Sequence, residues 1–245
     1  MFETDYPCVI LAGGLGTRMQ SSFSGIPKSL IPVLGRPFIE WQFEWLVTQG
    51  VRDVILCVGH LGDSIRRHVG TGESFGIQAS YVHDGATLKG TAGALRHATD
   101  ELGIATPFYL IYGDSFLDVS VADVTSTYQR TRLPALMTVF RNEGRWEESN
   151  VVFDGHIVTR YEKHLSDPPT EMAYVDYGFL IMDRPVIDEF VPAGEFFDLA
   201  DVLGRLSTSG RLAGFEASRR FFEVGTPQGL VDLETFLASN RDNTQ

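Results

Sequence analysis

Val9-Ile10-Leu11-Ala12-Gly13-Gly14-Leu15-Gly16-Thr17-Arg18-Met19, followed shortly by Pro27-Lys28, is the stretch that decides the fold of this chain. A short apolar run stops at three glycines; a hydroxyl and an arginine come next, and a lysine stands twelve residues beyond Gly16. Glycine has no Cβ, so backbone N–H groups can come close to an anion. Arg18 and Lys28 add the positive charge that a polyphosphate needs. The pattern predicts a buried strand feeding a triphosphate-binding loop, with Leu11, Ala12, Gly13, Gly14, Gly16 and Thr17 along the nucleotide. Spacing excludes two commoner glycine motifs. A P-loop carries Lys-Ser/Thr directly after its last glycine, where this chain has Thr17-Arg18. The dinucleotide fingerprint needs a small residue three places beyond Gly16, and Met19 stands there. The remaining alternative, a bare strand-to-helix turn, leaves the arginine and the Pro-Lys pair unexplained.

Outward from this loop, apolar runs alternate with helical patterns through the first half. Strands are expected over residues 9–12, 54–58, 78–82 and 108–112, and helices over 37–49, 61–69 and 92–102. Pro37 sits in the first turn of its helix and Gly50 just past the end. Strands alternating with helices of about ten residues imply parallel βαβ units, hence an α/β fold with a doubly wound, Rossmann-like, mostly parallel sheet. The second half is less regular. Strands are expected over 135–140, 151–153, 157–161, 172–182 and 221–224, with a hairpin at Asp154-Gly155. Helices are expected over 199–206 and 228–237, the latter capped by Thr226 and opened by Pro227. No linker or repeat interrupts the chain. We therefore expect one domain over residues 1–238, its second half forming a smaller lobe, and a polar tail over 239–245.

Composition narrows the function. The chain has 245 residues, 43% of them hydrophobic, and a net charge of −12 from 20 basic and 32 acidic residues. That balance argues against nucleic acid and anionic membranes as partners. An acidic protein that holds a triphosphate must gather its cations locally or recruit a metal. Cys8 and Cys57 lie in apolar runs and are expected as buried free thiols. No apolar run reaches about 18 residues, and the start Met1-Phe2-Glu3-Thr4-Asp5 is acidic, unlike a signal peptide. A cytoplasmic location is expected.

Ligands on open α/β sheets bind beyond the carboxyl ends of the strands. Gly113-Asp114-Ser115 follows the strand expected at 108–112 and falls on the same rim as the glycine loop. Asp114 is therefore either a turn residue or a Mg²⁺ ligand, since Mg²⁺ takes one or two carboxylates plus phosphate oxygens. Glu223 stands between Phe222 and Val224, where a charge needs a partner. Gly90-Thr91-Ala92-Gly93 opens a helix, either as an ordinary threonine cap or as a place where a ring or phosphate meets exposed N–H donors. Phe38, Trp41, Phe43 and Trp45 in one helix read as core.

Taken together, Gly13-Gly14-Leu15-Gly16-Thr17-Arg18 and Pro27-Lys28 resemble the signature of the sugar-1-phosphate nucleotidylyltransferases, and the likeness runs from about Cys8 to the helix near Leu237. The resemblance implies a GT-A-like fold, with a nucleotide-binding part over about 1–132 and a sugar-binding part over about 133–238. It implies transfer of a nucleotidyl group from an NTP to a sugar-1-phosphate, releasing pyrophosphate without a covalent intermediate. Arg18 and Lys28 become the catalytic cations. Mg²⁺ becomes the cofactor, on Asp114 and on Glu223, where relatives carry aspartate. Gly90, Thr91 and Gly93 belong to the segment that reads the nucleobase. The form Leu88-Lys89-Gly90-Thr91 looks closest to GTP-using heptose- or hexose-1-phosphate guanylyltransferases. Lys163 takes the phosphate of the sugar-1-phosphate, supported by Glu162, while Asp176, Gly178 and Asn150 line the sugar. Asp84, where relatives often have glutamate, either touches the sugar or closes a turn. Three alternatives stay open. One is a glycosyltransferase of similar architecture, although Asp114-Ser115-Phe116-Leu117-Asp118 lacks an Asp-x-Asp pair. Another is a non-catalytic nucleotide-binding regulator. The third is a nucleotidyltransferase acting on a non-sugar phosphate or phosphonate. A homodimer is compatible with the chain, though no residue pattern marks its interface.

Overall fold

Strand β1 (Cys8–Leu11) lies at the middle of the sheet, and Cys8, Val9 and Ile10 are wholly buried, as a run apolar on both faces requires. In the computed structural model, residues 6–14, 23–85, 87–142, 145–163, 165 and 167–242 are described. Gly16, Thr17 and Arg18 lie outside them. Beyond β1 come a hairpin of β2 (Pro32–Val33) and β3 (Arg36–Pro37), then α1 (Phe38–Thr48), β4 (Asp53–Val58), α2 (Gly62–Val69), β5 (Gln78–His83), α3 (Gly90–Glu101) and β6 (Phe108–Tyr112). The second half holds β7 (Ser115–Phe116), α4 (Val121–Thr131), β8 (Ala135–Arg141), β9 (Val151–Phe153), β10 (Val158–Tyr161), β11 (Tyr174–Met182), α5 (Arg184–Phe190), α6 (Leu199–Thr208), β12 (Leu212–Ala217), β13 (Phe222–Glu223) and α7 (Pro227–Asp242).

Strands β6, β1, β4 and β5 are parallel neighbours in that order. The second half continues the same sheet: β11 is antiparallel to β6, and β8 is antiparallel to β11 and parallel to β12. Apolar clusters cover both faces, one around Ile10, Phe43 and Phe179, the other around Val9, Leu95 and Leu180. This is the expected doubly wound α/β architecture, with antiparallel strands added on one side. No helix among the described residues is long and apolar enough to cross a membrane.

Three local features shape the rim. Strand β8 runs along one edge of β11; the other edge takes β9 at Tyr174 and β6 from Phe179 to Met182. The register breaks between Asp176 and Leu180, and Gly178 sits at φ +90°, a conformation that favours glycine. Asn150 fills the gap left there, its Oδ1 accepting the Asp176 N–H at 3.0 Å. At the far side a third cluster, including Ile31, Val33, Phe38, Trp41, Phe222 and Leu233, packs α7 against the 31–38 segment and β13.

The elements expected from the sequence are present with small differences at their ends. Helices α4 and α5 and strands β2, β3, β7 and β12 were not expected. Of the four aromatic residues of α1, Phe38, Trp41 and Phe43 are buried as expected, while Trp45 is half-buried and meets Phe179 edge-on at 5.8 Å. Cys8 and Cys57 are buried free thiols, and burial pushes both well above the ordinary thiol pKa.

Candidate active site

A cleft of about 730 Å³ opens beyond the carboxyl ends of β1, β4, β5 and β6, and its size suits a small-molecule site. Leu11, Ala12, Gly13 and Gly14 form its floor. Close backbone packing sets that floor. A Cβ on Gly113 would lie 2.7 Å from the Leu11 carbonyl, and one on Gly59 would lie 2.8 Å from the Gly13 carbonyl. Only glycines allow the ends of β6, β1 and β4 to converge this tightly.

Lys28 opens a short 3₁₀ turn, and its Nζ stands 2.7 Å from Asp114 Oδ2. Strand β7 follows Asp114 and pairs with β13, setting Glu223 opposite Ser115. The Val224 N–H donates to the Asp114 carbonyl at 2.9 Å. Asp114 and Glu223, more than a hundred residues apart in sequence, thus share one wall of the cleft. Two carboxylates with room for water and phosphate oxygens suit Mg²⁺, which seldom uses an all-protein cage. Among the described residues, no three His, Cys, Asp or Glu side chains gather into a metal site. The residues fit a metal shared with a polyphosphate.

At the other end Lys163, Asn150, Asp176 and Gly178 line the cleft. The Asp176 carboxylate accepts from the Gly178 N–H at 2.9 Å and from the Tyr112 hydroxyl at 3.1 Å. Burial pushes its pKa up, and Gly178, Tyr112 and Lys163 act against that shift. Burial likewise holds Tyr112 well above the usual phenol range, reinforced by Asp176. Glu162 does not face the cleft. It pairs with Arg160 at 2.7 Å, as adjacent residues on an extended backbone point to opposite faces. The acid beside Lys163 is instead Asp198, 3.9 Å away.

The start of α3 is closed differently from the expectation. Gly90 and Thr91 line the cleft, but Gly93 packs against the 195–197 loop, where a Cβ would lie 2.6 Å from the Glu195 carbonyl. The N–H groups of Ala92 and Gly93 both donate to the Phe197 carbonyl, at 3.0 and 3.1 Å, so these donors are already engaged. Thr91 is not a helix cap either: its hydroxyl donates to Asp198 at 3.0 Å and accepts the Leu199 N–H at 2.8 Å. Asp198, which also caps α6 through the Ala200 N–H at 2.9 Å, was missed. An aspartate before a helix signals a cap, but nothing local in sequence signals its contacts with Thr91 and Lys163.

The described lining holds six carboxylates (Asp84, Asp114, Glu147, Glu148, Asp176, Glu223) against the ammonium groups of Lys28 and Lys163, while Arg18 lies outside the described residues. Such a field opposes a polyphosphate unless further positive charge offsets it. Asp84 is 7% exposed, and its buried Oδ1 has no hydrogen-bond partner among the described residues. Burial raises its pKa, while Lys89, His83 and His97 oppose the rise.

Comparison with known proteins agrees with this geometry. Residues 8–238 match the family model described as nucleotidyl transferase. The D-glycero-alpha-D-manno-heptose 1-phosphate guanylyltransferase of Campylobacter jejuni is 25% identical, over 95% of this chain and 99% of that protein. A glucose-1-phosphate thymidylyltransferase of Streptomyces antibioticus is 30% identical over 76% of this chain, which spans about half the length of that relative (52%). Among solved structures, HddC from Yersinia pseudotuberculosis superposes with a TM-score of 0.75 at 21% identity, covering 95% of this chain and 99% of that one. UDP-glucose pyrophosphorylase from Acinetobacter baumanii does so with 0.76 at 15% identity, covering 94% and 92%. These two share the fold. With the family model covering nearly its whole length, the chain belongs to the nucleotidyl transferase family, in the company of sugar-1-phosphate nucleotidyltransferases.

Proposed function

We propose that this protein transfers a nucleotidyl group from an NTP, with GTP favoured, to a sugar-1-phosphate, yielding an NDP-sugar and pyrophosphate. The observation that carries this reading is the single cleft that joins the Gly13-Gly14 floor, the Lys28–Asp114–Glu223 wall and Lys163. Reactions of this type depend on positioning and charge neutralisation, and no nucleophilic side chain is required. Lys163 holds the phosphate of the acceptor so that its oxygen attacks the α-phosphorus in line, and Lys28 neutralises charge on the phosphates. Arg18, four residues beyond Gly14 in the sequence, is assigned to the departing pyrophosphate. A Mg²⁺ ion held by Asp114 and Glu223 would draw the mutually repelling phosphates together. Asn150, Asp176 and Gly178 border the sugar.

The preference for GTP is supported by Asp84. Asp84 lines the cleft with no hydrogen bond to its carboxylate Oδ1 among the described residues, and guanine would offer such a carboxylate N1–H and N2–H₂ side by side. Uracil and thymine flank their single N–H with carbonyls, which a carboxylate repels. Asp84→Asn is therefore expected to lower the preference for GTP over UTP by at least about tenfold, the scale of one charge-assisted contact. Competition between the two nucleotides in a pyrophosphate-release assay reads the ratio, and an unchanged ratio removes Asp84 from base selection.

Lys163→Ala is expected to raise KM for the sugar-1-phosphate by roughly 10–100-fold while moving the NTP KM little, because it removes a charge-assisted contact on one substrate only. A rise confined to the NTP would place Lys163 on the wrong side. The test of the whole reading is a pyrophosphate-release screen of the common NTPs against a panel of sugar-1-phosphates, with alcohol phosphates and phosphonates beside them. Turnover with the last group alone would replace the sugar acceptor by a non-sugar one.

A further inference from the structure

We propose that Lys28 is a resident counter-ion for Asp114, and that arrival of the divalent cation displaces its ammonium from the carboxylate toward the substrate phosphates. The proposal rests on the reading of Asp114 as a metal ligand and adds an order of events to it. Lys28 Nζ lies 2.7 Å from Asp114 Oδ2, and the two side chains are 17% and 25% exposed, so the pair is partly shielded from water. A cation therefore already sits on the carboxylate that a metal would use.

The backbones on both sides are held. Lys28 belongs to a closed turn in which the Leu30 N–H donates to the Pro27 carbonyl at 2.8 Å and the Ile31 N–H to the Lys28 carbonyl at 3.1 Å. Ser29 within that turn and Ile31 at its end are buried. Asp114 is fixed by the Val224 N–H on its carbonyl, and Gln42 Nε2 donates at 2.9 Å to the carbonyls of both Tyr112 and Ser115 that bracket it. What can move is the flexible four-carbon stem of the lysine. An ammonium and a dication on one carboxylate repel at ion-pair distance and compete for its charge. Metal binding on Asp114 therefore weakens its hold on Lys28, and a polyphosphate gives the released ammonium a place to go. Metal and nucleotide then favour each other's binding, and thermodynamic linkage makes that coupling reciprocal.

Titration of the full chain with Mn²⁺, read by electron paramagnetic resonance without nucleotide, tests this. Lys28→Met is expected to tighten Mn²⁺ binding by roughly tenfold, the scale of one charge-assisted contact, with Lys28→Arg close to the unaltered protein. Asp114→Asn is expected to abolish the tight site in every background. If Lys28→Met binds Mn²⁺ no more tightly while Asp114→Asn still loses the site, the exchange is overturned and the metal assignment stands. If Asp114→Asn binds Mn²⁺ as well as the unaltered protein, the metal assignment itself fails and takes the exchange with it. Should Lys28→Met not fold, the unaltered protein supplies the answer: acetylation of Lys28, mapped by peptide mass spectrometry, is expected to accelerate several-fold at saturating Mn²⁺. An unchanged rate overturns the exchange.

Discussion

Asp114→Asn is expected to lower kcat by roughly 10²–10³-fold, the scale on which one preorganised element of charge stabilisation acts in a transition state. The loss should be chemical and not structural. The contact that ties β7 to β13 at this point runs from the Val224 N–H to the Asp114 carbonyl, and asparagine keeps that carbonyl. The substitution is nearly isosteric, and Asp114 is only partly buried, so its melting temperature should stay close to that of the unaltered protein. What changes is the charge of the wall. One of two carboxylates facing the phosphates becomes neutral, leaving Glu223 as the ionised ligand. Glutamate is one methylene longer than aspartate, and Mg²⁺ demands near-ideal octahedral geometry, so Glu223 alone should hold the ion poorly. The Mg²⁺ dependence of pyrophosphate release should therefore shift to much higher concentration. A titration that superposes on the unaltered protein's would remove Asp114 from the metal site whatever the fall in kcat.

Asp114 was readable from the sequence because it ends an apolar strand, and the rim of an open α/β sheet is where ligands sit. The parallel strands β1, β4 and β6 were legible on similar grounds, as apolar runs closed by a turn, and helices carry stops such as Gly50. Other elements were hidden by residues that serve tertiary contacts. In α4 the inward stripe includes Thr125, whose hydroxyl donates to the Val121 carbonyl and pairs with Tyr109 at 2.8 Å, so a polar residue occupies a core position. Strand β12 is interrupted by Gly214, which is required because the Phe153 ring occupies the space of a Cβ there. Helix α5 has only seven residues, too few for a clear period. In the site, the floor and Lys28 were marked by motif, and Lys163 by the family resemblance. The resemblance put Glu162 beside Lys163, whereas chain folding pairs Glu162 with Arg160 and brings Asp198, the cap of α6, to Lys163. The same folding places the Phe197 carbonyl on the N–H groups at the start of α3, which sequence alone leaves free for a ligand.

That closure makes Gly90→Ala the substitution with the largest expected structural effect. Gly90 has φ +71°, and a Cβ there would stand 2.5 Å from the Phe197 carbonyl oxygen and 2.9 Å from its carbon. Two costs combine: a left-handed backbone for a non-glycine residue and a collision with main chain that cannot rotate away. We expect about 2–4 kcal/mol of destabilisation and a fall in Tm of roughly 4–16 °C for a chain of this size. Two controls separate the contributions. Gly85 also has a positive φ (+81°) but open space where its Cβ would go, so Gly85→Ala should show the backbone cost alone, about 1 kcal/mol. Gly93→Ala meets the Glu195 carbonyl at 2.6 Å without a positive φ, so it should show the collision alone. The effect of Gly90→Ala should also reach the site. Relief of the clash pushes the 196–198 segment outward, and with it Asp198, which holds Thr91 and faces Lys163. KM should rise for both substrates, unlike Lys163→Ala, which moves one. A Gly90→Ala protein that melts like Gly85→Ala would mean that the 195–197 loop yields freely, and Asp198 would then lose its part in linking the two ends of the cleft.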